Sequence, residues 1–119
     1  MTTEVLVIGP DEAAIGFIAG VLERAGLRAR AVPSIRAAAE VNAVHPALVL
    51  IDTDLEAVRS IRSLADPKLA SVDIVVLGPD PAGTDDAQAS TDAGATHHVP
   101  RPIAEAALIQ GVRSILDNG

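Results

Sequence analysis

Cysteine, tryptophan and tyrosine are absent from this chain, and phenylalanine occurs once, as Phe17. Without cysteine there is neither a disulfide framework nor a thiolate metal site, and the expected compartment is the cytoplasm. With aromatics at 1%, the core must be built from aliphatic and alanine side chains. These bury less area each, at roughly 25 cal/mol per Å², so modest stability is expected. Positive charge is also scarce: 9 Lys and Arg stand against 16 Asp and Glu, a net charge of −7. That balance argues against nucleic acid or an anionic membrane as a direct partner. Long hydrophobic runs are missing too. The longest, Ala13 to Leu22, is bounded by Asp11-Glu12 and Glu23-Arg24 and falls well short of the roughly 20 residues that span a bilayer. The chain opens with strand-like sequence and no basic region, so no signal peptide is expected.

What the 119 residues do contain is one domain, 1–119, with a regular alternation. Strands are predicted over 4–9, 27–32, 47–52, 72–78 and 95–99. Helices are predicted over 11–25, 34–44, 55–64, 84–93 and 103–116. Asp11 is placed as an N-cap and Gly26 just past the helix end. The first, third and fourth strands are nearly continuous in Val, Ile and Leu, which marks strands covered on both faces. Strict βα alternation with such strands predicts an α/β, flavodoxin-like, doubly wound (βα)5 fold. Its expected form is a five-stranded parallel sheet in the order 2-1-3-4-5. The echo between Ile8-Gly9-Pro10-Asp11 and Leu77-Gly78-Pro79-Asp80 reads as shared turn chemistry at two strand exits.

In such a sheet, ligands and chemistry gather at the carboxyl ends of the strands. Asp52 closes the run Pro46-Ala-Leu-Val-Leu-Ile-Asp52 there, with Asp11 and Asp54 as candidate partners in an acidic pocket. A carboxylate that accepts a phosphoryl group needs its charge neutralised by a metal and a cation, and Mg²⁺ wants octahedral oxygen ligands. Two or three carboxylates provide for it poorly, so no cofactor is expected. Arg101 could pair with Asp52. His97 and His98 are adjacent on a strand and point to opposite faces, while His45 belongs near the other end of the sheet, so no metal centre is predicted. Gly9-Pro10-Asp11 matches neither the G-x-G-x-x-G nor the Walker pattern. In the first helix, Ala14, Phe17, Ile18, Val21, Leu22 and Ala25 are assigned to the inward face. Gly16, Ala19 and Gly20 then form an outward surface where another helix could approach closely, with Ile15 on its rim.

The order of elements resembles the receiver domain of bacterial response regulators across almost the whole chain. "HPALVLID" is similar to the segment ending in the phosphoacceptor aspartate, here Asp52. "ADPKLASVDIVVLG" is similar to the passage into the fourth strand, and "DAGATHHVPRPI" to the segment around the fifth. The resemblance implies an acidic pair after the first strand, where this chain has Gly9 and Pro10. It implies a switch Ser or Thr where Gly78 stands, a Lys where Arg101 precedes Pro102 (in a cis peptide), and a switch aromatic where His98 stands. The loop after Asp52 is shortened.

The expectation is therefore a degenerate receiver, a non-enzymatic module of two-component signalling that acts through protein–protein contact. Its partner would be another signalling protein, its own effector domain, or a second copy in a homodimer. The alternatives are a receiver phosphorylated on Asp52 and, from another class, a small flavodoxin-like enzyme or nucleotide-binding protein.

Overall fold

The computed structural model describes residues 5–52, 55–64, 67–70, 72–77, 94–99 and 105–118. The elements in chain order are β1 (Val5–Gly9), α1 (Glu12–Arg24), β2 (Ala29–Pro33), a 3-10 turn (Ser34–Arg36), α2 (Ala37–Val44), β3 (Leu48–Asp52), α3 (Leu55–Arg62), α4 (Pro67–Ala70), β4 (Asp73–Leu77), β5 (His97–Val99) and α5 (Glu105–Asn118). The single helical turn α4 was not expected. The predicted helix over 84–93 lies outside the described residues.

The sheet is parallel, with β2, β1, β3 and β4 side by side in that order. β5 adds three residues along the outer edge of β4, Val75 opposite His97, Val76 opposite His98 and Leu77 opposite Val99. Strand side chains alternate between two cores, as the period of two requires. Leu6, Ile8, Val49, Ile51, Ile74 and Val76 pack with α2 and α3 on one face. Val5, Val7, Leu48, Leu50, Val75 and Leu77 pack with α1 and α5 on the other. This double covering explains why β1 and β3 carry no polar residue before their last position. Among the described residues, no helix is long and apolar enough to cross a membrane.

α1 begins and ends as the sequence indicates. Asp11 Oδ1 accepts from the Ala13 amide at 3.0 Å and the Ala14 amide at 3.4 Å. At the other end Gly26 (φ +89°) lets its own amide donate to Glu23 and that of Leu27 donate to Leu22, both at 3.0 Å. That pair of bonds is the Schellman closure. Its rotation about its own axis differs from expectation. Ile15, Ile18, Ala19, Val21 and Leu22 are buried, whereas Phe17 is 61% exposed and Gly16 is exposed. Ala19, placed outward with Gly16 and Gly20 in the sequence reading, is in fact buried, and Ile15 is core instead of rim. The reason is the i, i+3, i+4, i+7 stripe Ile15-Ile18-Ala19-Leu22, which packs together with Val5, Val7, Leu48 and Leu50 of the sheet.

At the amino edge of the sheet, Arg62 at the end of α3 joins three segments. Its guanidinium donates to the Gly94 carbonyl at 2.7 Å, the Val72 carbonyl at 2.7 Å and Thr96 Oγ1 at 3.3 Å. Thr96 in turn accepts from the Ile74 amide at 3.1 Å and returns its own amide to the Ile74 carbonyl at 2.8 Å. Burial lowers the Arg62 pKa, and the neighbouring Asp73 charge draws it partly back up. Gly94 holds φ +117°, and a β-carbon there would stand 2.8 Å from Arg62 Cγ.

Candidate functional site

The carboxyl edge of the sheet is a row of strand ends. Gly9 lies opposite Pro33 on one side. On the other, Ile8 pairs with Ile51, which sets Gly9 beside Asp52. Asp52 lies opposite Leu77, and Leu77 opposite Val99. The alternation that puts Val5 and Val7 on the α1 side puts Gly9 there as well; Leu48 and Leu50 do the same for Asp52.

Asp52 is 4% exposed, the one buried charged side chain among the described residues. Its neighbours along the row, Gly9 and Leu77, bring no charge to it. Gly9 leaves no spare room either. A β-carbon built on it would stand 2.7 Å from Ile15 Cγ2, 3.0 Å from Asp52 Cβ and 3.5 Å from the Asp52 carbonyl oxygen. The first turn of α1 has settled onto the end of β1, and only glycine permits that approach. Asp11 is exposed, and one of its carboxylate oxygens caps α1. A charge at that position favours the helix dipole, so the side chain serves the helix start.

Of the residues singled out from the sequence, Gly9 and Asp52 meet, with Pro10 and Asp11 following directly on the loop. Asp54, Gly78, Arg101 and Pro102 lie outside the described residues, as does the peptide geometry at 101–102. The backbone of His98 sits on β5 opposite Val76, and His97 opposite Val75, one residue apart on an alternating strand. His45 ends α2 in the left-handed region at φ 54° and precedes β3, at the far end of the strand from Asp52. Gly16 and Gly20 belong to the outer side of α1.

Two concavities lie away from Asp52. One, of about 330 Å³, runs between β5 and α5, with Leu50, Val75, His97, Val99, Leu108 and Ile115 in its wall. The other, of about 230 Å³, opens at the free edge of β2 between Arg30, Pro33, Arg36 and Glu40. Glu40 bridges the two arginines, at 3.4 Å from Arg30 and 3.8 Å from Arg36.

Sequence reasoning missed the Arg62 cluster. Its partners are 10, 32 and 34 residues away, and no local spacing announces them. The contact of Ile15 with Gly9 was missed for a related reason: it follows from how α1 is turned about its axis.

No protein-family model matches this sequence, and no curated protein matches it. Solved structures do. A candidate response regulator from Chloroflexus aurantiacus superposes with a TM-score of 0.85 at 18% identity, over 98% of this chain and 99% of the other. The receiver domain of a signal transduction histidine kinase from Syntrophus aciditrophicus gives 0.82 at 18%, over 98% and 92%. A CheY-like response regulator receiver domain protein from Methanospirillum hungatei gives 0.81 at 18%, over 99% and 96%. These three solved structures are a response regulator and two receiver domains, and theirs is the fold of this chain.

Proposed function

We propose that this chain is a receiver-like signalling module that works by protein contact and has given up Mg²⁺-dependent phosphorylation. The observation that carries this reading is the packing at Gly9. A receiver-type site needs acidic side chains at the end of β1 to hold the metal, and here the space is closed by Ile15 and by Asp52 itself. Asp11, the next acid along, spends its carboxylate on the α1 amides. The donors described at this edge do not fit an octahedral ion, and phosphoryl transfer is chiefly positioning and electrostatics. In this reading Asp52 is a structural carboxylate, the chain is no enzyme, and its partner in the cytoplasm is another signalling protein, an attached effector domain or a second copy, not nucleic acid.

Isothermal titration with Mg²⁺, followed by beryllofluoride, tests this directly, alongside intact-mass measurement after incubation with acetyl phosphate. The expected result is no saturable heat below about 1 mM, an affinity of roughly −4 kcal/mol or weaker, and no added phosphoryl mass. Tighter Mg²⁺ binding or a phosphoryl adduct, either one lost in Asp52→Ala, would replace the proposal with a working receiver.

A further inference from the structure

We infer that the outer face of α1 is a self-docking surface, on which a second copy of this chain lies antiparallel. This names a partner for the contact-driven module proposed above. At 100° per residue the outer sector of α1 carries exposed Glu12, Gly16 and Arg24 and half-buried Gly20 as one i, i+4 row, with Ala13 and Phe17 beside it. Phe17 is the only aromatic in the chain and is 61% exposed.

Among the described residues, nothing in the monomer requires the two glycines. Neither holds a positive φ. A β-carbon at Gly16 would meet nothing within 4 Å, and one at Gly20 would meet only the Arg24 guanidinium at 3.9 Å. Each nevertheless costs the helix about 1 kcal/mol relative to alanine. Gly9 and Gly94, by contrast, are each required by a neighbouring side chain. Gly111 on α5 is equally unconstrained, so what sets 16 and 20 apart is their place on one row between Glu12 and Arg24.

The row is self-complementary. Turned end for end about its midpoint at residue 18, it sets Glu12 against Arg24 of the second copy, Gly16 against Gly20, Gly20 against Gly16, and Arg24 against Glu12. Two opposite-charge pairs and two glycine contacts thus arise from a single two-fold operation, as an isologous interface requires. A parallel arrangement would set Glu12 against Glu12 and Arg24 against Arg24. The packing class in which i±4 rows of both helices meet, at about 50°, brings such rows alongside one another. The same axis puts both Phe17 rings on one flank of the crossing, each over the small residues of the other helix. The ion pairs described within the monomer, Arg30–Glu40, Arg36–Glu40 and Arg59–Glu56, use neither Glu12 nor Arg24. One helix crossing buries less than the roughly 1,200 Å² of a standard interface, so the association is expected to be weak, in the micromolar-to-millimolar range.

Sedimentation velocity of the whole chain from about 10 µM to 1 mM, spanning that range, tests the inference. The wild type is expected to shift from monomer towards dimer. Glu12→Arg and Arg24→Glu, each setting like charges opposite one another, should each weaken dimerisation about tenfold or more. The double variant Glu12→Arg/Arg24→Glu should regain it, because the swapped pairs match again in the antiparallel register. Phe17→Ser should weaken it without altering the charges. Circular dichroism on each variant establishes that α1 remains folded, and a variant that loses helicity is replaced by Glu12→Gln or Arg24→Gln, for which a weaker loss is expected. A monomeric wild type at 1 mM overturns the inference, and so does a double variant no better than the single ones. Mg²⁺ titration is indifferent to both outcomes, so failure here leaves the reading of the Asp52 edge standing.

Discussion

The two ends of the sheet use polar groups in opposite ways. At the amino edge, one guanidinium on α3 reaches two carbonyls and a hydroxyl on two other segments, and Gly94 is shaped around it. At the carboxyl edge, where receiver chemistry would sit, a single buried carboxylate lies between a glycine and a leucine. Among the described residues, Arg62 is where one polar side chain joins several segments of the fold. At the end that would bind a ligand, the described residues bring Ile15 up against the backbone of Gly9.

Five substitutions test this contrast. Arg62→Leu has the largest expected effect, because it leaves the Val72 and Gly94 carbonyls without their donor. Both bonds are part-buried, so each orphaned carbonyl costs toward the lower end of about 1–3 kcal/mol, and a total loss of about 3 kcal/mol is expected in guanidinium unfolding. A loss below about 1 kcal/mol, the net worth of one ordinary hydrogen bond, would mean the clamp is ornamental and the contrast false. Gly9→Ala comes next. Overpacking against Ile15 and Asp52 should cost about 2 kcal/mol, measured the same way. Gly9→Asp should be no gentler and should gain no Mg²⁺ affinity by calorimetry. If it did bind the ion, the carboxyl edge would be an emptied site instead of a closed one. Asp11→Ala removes the α1 cap and should cost about 1 kcal/mol, with no change in any metal titration. Gly16→Ala is expected to go the other way, raising monomer stability by somewhat under 1 kcal/mol. A destabilising Gly16→Ala would show a contact within the monomer that the open space around Gly16 does not suggest.

Much of the fold was legible because β1, β3 and β4 are so apolar that only strands covered on both faces could hold them. The α1 boundaries were legible for a similar reason: Asp11 and Gly26 are local signals, each acting within a few residues. The rotation of α1 was not. Between Ala13 and Leu22 every residue is apolar or glycine, so polarity does not mark the wet side, and only packing against β1 decides that Ile15 faces in and Phe17 out. At the site, the position of Asp52 at a strand's carboxyl end could be read from sequence. That Gly9 is sterically obligatory could not, since the clash comes from a residue six positions later on a helix of unknown rotation. Nothing local in the sequence sets Arg62 apart from the other charges of α3, and its role emerges only when residues 94–96 return beside it.

That return has a consequence for how the molecule opens. Three residue pairs join β5 to the rest of the sheet, and Arg62 reaches across to the chain just before them. Amide protons of β1 and β3 are enclosed on both sides and should exchange with solvent only when the whole domain unfolds. Those of β5 depend on a short seam, so they report a smaller, partial opening. While Arg62 fastens the entrance to β5, the two openings are tied together. In Arg62→Leu they should separate, with deuterium entering 96–99 well before it enters 5–9 and 48–52. The last strand would then behave as a separate cooperative unit, released from the rest of the sheet by the loss of one side chain on α3.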